Sequence, residues 1–431
     1  MKKILIITPY FPPSNAADMQ RVRMSLPYFY QLGWQAEVVA VHPEFSDINK
    51  DSLLAKTIPK NTKIHYVKAF NKHITRKFGL GSIALRSIWY YKSYVDKLLK
   101  KENFDLIYFS TTQFPVCILG SYWKKKFQVP FVIDMQDPWH SDYYNDKPKS
   151  EQPAKYWFSY RLNKYLEPIA MEQCDGLISV SQDYISTLQS RYPQLADKPY
   201  AVITFGAFDK DFEILEELNV KPLFLKNPGK INLIYIGRGG ADMREALNIL
   251  FKSFLKGLQI NPTIFNQVKF HFIGTSYAPN GEGKQSIVPL AERMGLSKYV
   301  NESTDRVSFF EGLATLKEAD GLVIPGSNDP GYTASKLYPY ILTKKPLLGI
   351  FHPKSSALKI INDCSAGKTL TLFDDDSLAF PALEAFITSV IDRIRPATKW
   401  KNFERYTAEE MTKKQVNLFN TVVNGSPQTN F

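Results

Sequence analysis

The stretch Ile231–Gly237, with the sequence INLIYIG, begins a second run of alternating strands and helices in this 431-residue chain. It is short and almost wholly apolar, which is typical of a parallel strand covered on both faces. An amphipathic stretch from about Asp242 to Leu258 follows it and predicts a helix. The same alternation has already run once, from Lys3 onward. We therefore expect two doubly wound α/β domains, as the chain length also indicates.

Short apolar or β-branched runs predict the remaining strands. They are Lys3–Thr8, Glu37–Val41, Ile64–Val67, Leu106–Ser110, Phe131–Met135, Gly176–Ser181 and Ala201–Thr204 in the first half, and Lys269–Gly274, Val307–Glu311, Gly321–Pro325, Pro346–Phe351 and Thr369–Leu372 in the second. Amphipathic stretches such as Asp18–Leu32 and Pro153–Glu172 predict helices. The charged stretch Glu213–Lys230 has two prolines and no strand pattern, so it predicts a linker.

The net charge of +12 is concentrated in one segment. Lys63–Lys101 contains ten lysines and arginines, one acidic residue and several aromatic residues. This mixture favours either a helix that lies against anionic lipid headgroups or an ordinary solvated basic helix. No recognised nucleic-acid-binding module accompanies it, so we expect no nucleic acid partner.

Cysteine usage and hydropathy predict a cytoplasmic protein. The basic segment leaves contact with the inner face of the membrane open. The three cysteines are far apart and form no CxxC pair, which argues against a disulfide framework or a structural zinc site. The apolar run at the N-terminus stops at Thr8, too early for a signal peptide, and no stretch approaches the length of a membrane span. GxGxxG, P-loop, HExxH and GxSxG motifs are all missing from the sequence.

Two segments of the first half end strands with polar residues. The loop Thr8–Asp18 leads into a helix, where Ser14, Asn15 and Arg21 could meet an anion, unless the loop is only a stiff proline-rich connection. The second segment is Ile133–His140. Its polar and aromatic residues are Asp134, Asp137, Trp139 and His140. Carboxylates and an aromatic face suit a sugar, whereas the alternative is a turn in which Asp137 caps a helix.

Two segments of the second half predict an anion site. In Tyr235–Gly240, Gly237 and Gly239 permit close backbone approach and Arg238 can bind a diphosphate with both arms of its guanidinium. In Pro325–Ile341 a strand leads into a Gly/Pro-rich loop and then into a predicted helix. The residues proposed for the site there are Asp329, Tyr332, Thr333, Ala334, Ser335, Lys336 and Leu337. Hydroxyls and an ammonium at a helix start favour a phosphate.

In this order, the four segments resemble the retaining family 4 glycosyltransferases of the GT-B fold. Further similar segments are Cys174–Ser181, Ile203–Asp209, Asp320–Pro325 with Ser335 and Lys336 (the subgroup with a Ser-Lys donor-site helix), and the tail from Arg405. The resemblance implies two Rossmann-like domains facing across a cleft. It assigns 1–210 to an acceptor-side domain, 211–395 to a donor domain, and about 396–425 to a helix that packs back on the first domain.

The resemblance also implies a function. A sugar would pass from a nucleotide-diphosphate sugar to a glycan or lipid-linked acceptor, with retention, without metal or bound cofactor, in polysaccharide or glycoconjugate synthesis. Arg238, Lys336 and Asp137 would be catalytic. The donor would lie against 237–239, Arg244, Asp329 and 332–337, and the acceptor near Ser14, Asn15, Arg21, Asp134, Asp137, Trp139 and His140.

The sequence departs from the family pattern in the donor region. The usual pair of glutamates should fall at Gly331 and Pro339, and Asp329 is the nearest carboxylate to the first position. The lysine that usually follows the Gly-Arg pair is missing, and Arg244 is the closest basic residue. These departures favour one alternative function, a catalytically inactive nucleotide-sugar-binding protein. A sugar-nucleotide epimerase of the same fold is the other alternative, and the missing acids count against it because it would need carboxylates that converge in the cleft.

Overall fold

The computed structural model describes residues 1–142, 145, 148–149, 152, 155–224, 229–278, 281–330 and 335–425. The chain forms two compact units. The N-terminal unit comprises Met1–Gly206 and the chain from Ala408 onward, and the C-terminal unit comprises Ala207–Thr407. The sequence pattern places the corresponding boundaries after residue 210 and at about residue 396.

The N-terminal unit is built on a seven-stranded parallel sheet. Its strands are β1 (Lys2–Ile7), β2 (Trp34–Val41), β3 (Lys63–Val67), β4 (Leu106–Ser110), β5 (Phe131–Met135), β6 (Gly176–Ser179) and β7 (Tyr200–Val202), in the order β3-β2-β1-β4-β5-β6-β7. The helices of this unit that precede the C-terminal unit in the chain are α1 (Met19–Phe29), α2 (Lys72–Thr75), α3 (Ile83–Lys101), α4 (Ile118–Phe127), α5 (Tyr156–Met171) and α6 (Gln182–Arg191).

The C-terminal unit has a six-stranded parallel sheet. Its helices are α7 (Lys210–Leu218), α8 (Arg244–Ile260), α9 (Pro262–Phe265), α10 (Val288–Arg293), α11 (Phe309–Glu318), α12 (Leu337–Leu342), α13 (Ser356–Asp363), α14 (Asp376–Ile391) and α15 (Trp400–Phe403). Its strands are β8 (Ile231–Ile236), β9 (Val268–Ile273), β10 (Val300–Ser303), β11 (Gly321–Pro325), β12 (Leu347–Phe351) and β13 (Lys368–Thr371), in the order β10-β9-β8-β11-β12-β13. Helix α16 (Ala408–Asn424) then returns to the N-terminal unit.

Both sheets place their first strand beside their fourth, so β1 pairs with β4 and β8 pairs with β11. The chain runs outward on one side of the first strand and then crosses to the other side. The loops that follow the two central strands therefore diverge and leave a crevice at the carboxyl edge of the sheet, where doubly wound folds bind ligands. This topology confirms the predicted two-domain Rossmann-like fold and positions the predicted site loops.

The predicted C-terminal helix does pack on the N-terminal unit. The ring of Phe419 on α16 lies 6.2 Å from that of Phe29 and 5.0 Å from that of Tyr108. The helix begins at Ala408, whereas the sequence suggested about 396. The preceding segment belongs to the C-terminal unit because Phe403 packs its ring against Tyr338, 6.3 Å away.

One predicted strand is wrong. Val307–Glu311 contains three bulky β-formers, but α11 begins there at Phe309. Ser308 accepts a hydrogen bond from the backbone N–H of Glu311, and the Glu311 side chain accepts from the backbone N–H of Ser308. This capping box starts a helix in spite of the local strand preference. The strand at this position in the fold is instead β10, whose sequence VNES is too polar to attract notice.

The predicted linker is also partly wrong. Its first residues belong to α7, which Asp209 caps by accepting a hydrogen bond from the backbone N–H of Lys210. Leu215 on this helix is buried. The charged composition that suggested a linker is therefore the solvated face of an amphipathic helix.

Much of the charge in the basic segment is neutralised within the N-terminal unit. Lys63, Lys72, Arg86 and Lys92 form ion pairs with Glu37, Glu102, Asp47 and Asp96. Six other basic residues of the segment take part in no ion pair among the described residues. They are Lys68, Arg76, Lys77, Lys97, Lys100 and Lys101. Among the helices of the described residues, none is both long and apolar enough to cross a bilayer.

Candidate functional site

The loop that follows β8 meets the loop that follows β11 at the carboxyl edge of the C-terminal sheet. The backbone N–H of Asn328 donates to the carbonyl of Asp242 at 2.9 Å and joins the two loops. The backbone at Gly237 has a φ of 153°, which favours glycine, and a Cβ added there would overlap Lys336 Nζ. Gly237 therefore leaves room for a lysine that arrives from the second loop.

Arg238 is held by a carboxylate that sequence analysis did not identify. Its two terminal nitrogens donate to the two oxygens of Asp242 at 2.8 and 2.6 Å. This bidentate hydrogen bonding lowers the pKa of Asp242 to about 2, against the opposing effect of burial and with a smaller contribution from a hydrogen bond that Ser327 donates. Asp242 is thus ionised at neutral pH and fixes the guanidinium, which is about a quarter exposed.

Lys336 lies against the side chain of Tyr235. Its Nζ donates to the Tyr235 hydroxyl at 2.8 Å and lies 4.8 Å from the centre of the same ring. The Tyr235 hydroxyl in turn donates to the carbonyl of Arg238 at 2.9 Å. Tyr235 is therefore a fixed support that brings the lysine from one loop beside the arginine of the other.

Burial, with the nearby charge of Arg238 second, lowers the pKa of Lys336 to about 7, while the charge of Asp242 opposes the shift. The amine can thus exist in both protonation states near neutral pH. An anion beside it would favour the charged form, so binding of a phosphate would be coupled to uptake of a proton.

Ser335 and Lys336 precede helix α12 rather than forming its first turn. Ser335 is exposed, and its carbonyl accepts a hydrogen bond from the backbone N–H of Tyr338 at 3.5 Å. Leu337 is fully buried, so its side chain belongs to the core. Tyr340 anchors α12, because its hydroxyl accepts from the backbone N–H of Ile236 at 2.7 Å.

The other predicted donor residues lie around this centre. Gly239 donates its backbone N–H to the carbonyl of Thr275 at 2.7 Å. Arg244 is exposed at the first residue of α8, and Asp329 is exposed on the loop after β11. Tyr332, Thr333 and Ala334 lie outside the described residues.

Sequence analysis missed Asp242, Tyr235 and Ser327. The spacing of Arg238 and Asp242, four residues apart, is the usual spacing of a local ion pair and could have revealed the first. Tyr235 stood inside a quoted motif but gave no sign of its role, because its partner Lys336 is 101 residues away in sequence. The part of the structure that is described contains no cluster of three His, Cys, Asp or Glu side chains suited to a metal ion.

In the N-terminal unit, two predicted acceptor residues form an internal ion pair. Arg21 is fully buried, and its Nε lies 2.6 Å from Asp134 Oδ2. Its terminal nitrogens donate to the carbonyls of Ile203 and Thr204 at 2.7 and 3.2 Å. Both charges are thus engaged within the protein and buried, which corrects the expectation that Arg21 meets an anion and that Arg21 and Asp134 contact an acceptor.

Ser14 and Asn15 connect the loop after β1 to a neighbouring loop. The Ser14 hydroxyl donates to that of Ser46 at 2.9 Å, and the backbone N–H of Asn15 donates to the carbonyl of Asn49 at 2.8 Å. Asp18, at the end of the same loop, is buried and accepts from the Thr111 hydroxyl at 2.9 Å. This region is a hydrogen-bonded support at the switch point of the sheet.

Asp137 and Trp139 line an open cavity of about 610 Å³ in the N-terminal unit. The residue Asp137 as a whole is exposed to solvent. Burial of its carboxyl group nevertheless raises its pKa, and the negative charge of Asp18 raises that pKa further. The indole N–H of Trp139 donates to Asn163 Oδ1 at 3.2 Å. The structure therefore brings these two predicted acceptor residues into one pocket.

His140 supports the loop and does not line the cavity. Its backbone N–H donates to Glu167 at 3.1 Å, and Glu167 also pairs with Arg191. Burial, with the charge of Arg191 second, lowers the pKa of His140. Its ring packs 4.8 Å from that of Tyr160, so the neutral imidazole is a packing element of the N-terminal unit.

Comparison with protein families agrees with the N-terminal architecture. Residues 28–206 match the family described as Glycosyltransferase Family 4, a segment that covers less than half of the chain. The chain has no sequence match among the curated proteins with which it was compared.

Solved structures that resemble the whole chain share its fold. A glycosyltransferase from Rickettsia africae has a TM-score of 0.61 at 13% identity, with 99% of each chain covered. Sucrose-phosphate synthase from Thermosynechococcus elongatus has a TM-score of 0.59 at 14% identity, covering 99% of this chain and 100% of that one. HepE from Anabaena, in complex with UDP-glucose, has a TM-score of 0.56 at 16% identity, with 97% and 98% covered. The chain therefore has the GT-B architecture.

Proposed function

We propose that this chain is a glycosyltransferase that takes a sugar from a nucleotide-diphosphate sugar held in the C-terminal unit. One observation carries the proposal: Arg238 and Lys336 come together at the switch point of the sheet, each fixed by a neighbouring side chain. Two cations at this edge of a doubly wound sheet suit a diphosphate. The Glycosyltransferase Family 4 match and the UDP-glucose complex of HepE support the same reading.

The chemistry follows from charge. Cleavage of the bond between sugar and phosphate puts negative charge on the leaving diphosphate. Arg238 and protonated Lys336 would stabilise that charge in place of a metal ion. We propose retention of configuration, in which a phosphate oxygen of the leaving group accepts the proton of the acceptor hydroxyl.

For the acceptor we propose a glycan or a lipid-linked glycan bound by the N-terminal unit, in the synthesis of polysaccharide or glycoconjugate. Asp137 and Trp139 are the residues that would meet it, since both line the cavity. Contact of the segment Lys63–Lys101 with an anionic membrane stays a prediction, now limited to the six basic residues outside ion pairs.

The direct test is UDP and UDP-glucose binding to the full chain by calorimetry, followed by release of UDP from UDP-glucose with and without acceptor. Lys336→Met and Arg238→Gln should each weaken UDP binding about tenfold and slow sugar transfer about a hundredfold. Lys230→Met is the matched control, because Lys230 immediately precedes β8, at the opposite edge of the sheet. It should bind UDP like the wild type.

Other outcomes decide between the functions. If no nucleotide diphosphate binds, the donor site and the transferase proposal are both wrong. If UDP-glucose binds but none of the tested acceptors leads to release of UDP, the chain is a nucleotide-sugar-binding protein. Interconversion of the sugar without release of UDP would identify an epimerase.

A further inference from the structure

The cavity of about 610 Å³ in the N-terminal unit has a size typical of small-molecule sites. It lies at the first turns of α3 and α5, so Ser82 and Lys155, the residues that precede these helices, both line it. Neither helix has an acidic residue in its first turn. The positive ends of two helix dipoles thus contribute to the potential at the cavity.

One part of the lining is apolar. Its larger side chains are Leu85, Phe114, Trp139, Phe158 and Leu162. Phe114 and Trp139 stack with ring centres 5.5 Å apart, and the Trp139 indole N–H is already bonded to Asn163. Aliphatic and occupied aromatic groups offer contact area but few hydrogen bonds, so these five side chains suit a hydrocarbon chain.

Another part of the lining is cationic. Arg76 and Lys155 both line the cavity, and Lys155 Nζ lies 3.4 Å from the backbone carbonyl of Arg76, to which it donates. Among the lining residues that the structure describes, Asp137 is the one carboxylate. A ligand with a compact negative group is therefore complementary to Arg76 and Lys155.

Exposed apolar side chains adjoin the lining in sequence. Ile74, Phe78 and Leu80 flank Arg76 and are 62%, 72% and 40% exposed, and Trp157, beside Phe158, is 65% exposed. Four large exposed apolar residues within two positions of the lining residues are more than the scattered exposure expected of a surface that meets only water.

We propose that this cavity binds a lipid phosphate, with its hydrocarbon chain along the apolar part of the lining and its phosphate at Arg76 and Lys155. That this lipid is the acceptor, or carries it, rests on the proposed function. The binding site itself does not.

The test uses octyl phosphate as the probe on the full-length protein, measured by calorimetry beside octanol and inorganic phosphate. Octyl phosphate should bind at least about a hundredfold more tightly than inorganic phosphate, because the chain buries apolar area. Arg76→Gln should weaken octyl phosphate about tenfold and leave octanol unchanged. Leu162→Trp, which adds bulk at a lining residue, should weaken both by about tenfold or more.

Two matched controls keep this test specific. Lys97→Gln removes an exposed charge of the same basic segment away from the cavity, and Tyr165→Trp adds bulk to an exposed position of α5. Both should bind octyl phosphate like the wild type. The proposal is overturned if octyl phosphate binds no better than inorganic phosphate, or if Lys97→Gln weakens binding as much as Arg76→Gln.

UDP binding to the same preparations separates this inference from the proposed function. Binding of UDP without octyl phosphate would overturn the lipid site alone. Binding of octyl phosphate without UDP would overturn the transferase and leave the lipid site standing.

Discussion

The segments after β1 and β8, each taken as the loop with the start of the helix that follows it, occupy equivalent positions in two sheets of the same topology, but they use their charges differently. In the N-terminal unit, Arg21 is fully buried and is engaged by Asp134 and two backbone carbonyls. In the C-terminal unit, Arg238 pairs with Asp242 while both side chains keep more than a quarter of their surface in solvent. The first arrangement holds the fold, and the second leaves a cation accessible, as the proposed donor site requires.

The carboxylates of the two loops differ in the same way. Burial raises the pKa of Asp18, although Thr111 and Thr112 donate hydrogen bonds to it. Bonding to Arg238 contributes most to the pKa of Asp242, which is lowered to about 2. A shared topology therefore supplies the crevice, and solvent access decides whether a charge in it is structural or available for binding.

The largest effect that would test this contrast is the loss of Arg21. Arg21→Met leaves the buried carboxylate of Asp134 without its cation, and we expect the N-terminal unit to lose about 3–5 kcal/mol of unfolding free energy. The equivalent change Arg238→Met breaks a partly solvated pair and should cost less than about 1 kcal/mol. Hydrogen exchange of strand amides measures each unit separately.

A second variant separates charge from packing. Arg21→Met combined with Asp134→Asn removes both charges but keeps an acceptor for Tyr108, Ser110 and Gln136, so it should recover part of the stability that Arg21→Met loses. Equal losses for Arg21→Met and Arg238→Met would show that solvent access does not distinguish the two loops.

The contrast also marks what the sequence could predict. Gly237, Arg238 and Lys336 were identified because residue type and position at strand ends are visible locally. The burial of Arg21 was not predicted, because its partners Asp134, Ile203 and Thr204 come from strands and loops far along the chain. Parallel strands were found from their apolar runs, whereas β10 was missed because an edge strand needs no such run. Helix α11 shows that a cap can outweigh strand propensity.

The next effect concerns Lys336, whose pKa of about 7 makes donor binding depend on pH. The ammonium is present below that pKa and is lost as the pH rises through it. UDP affinity should therefore fall about tenfold between pH 7.0 and 8.5. In Lys336→Arg the side chain stays charged over this pH range, so UDP affinity should no longer depend on pH. Lys336→Met should also lose the pH dependence, because it binds UDP weakly at every pH. Calorimetry at several pH values tests this. If UDP affinity depends on pH in both variants as it does in the wild type, the titrating group is not Lys336.

The smallest effect compares Asp18 with Asp242. Because the folded pKa of Asp18 is raised, its ionisation costs stability above that pKa, and the cost vanishes as the pH falls below the unfolded value. Asp18→Asn can still accept hydrogen bonds from Thr111 and Thr112, so it should stabilise the N-terminal unit by about 1 kcal/mol at pH 8 and by less at pH 5. Asp242→Asn should act with the opposite sign, since the lowered pKa of Asp242 contributes stability that is present at neutral pH and is lost only as the pH falls toward 2. Hydrogen exchange in each unit at the two pH values gives both signs. If both variants shifted stability in the same direction, the two loops would not treat a carboxylate differently.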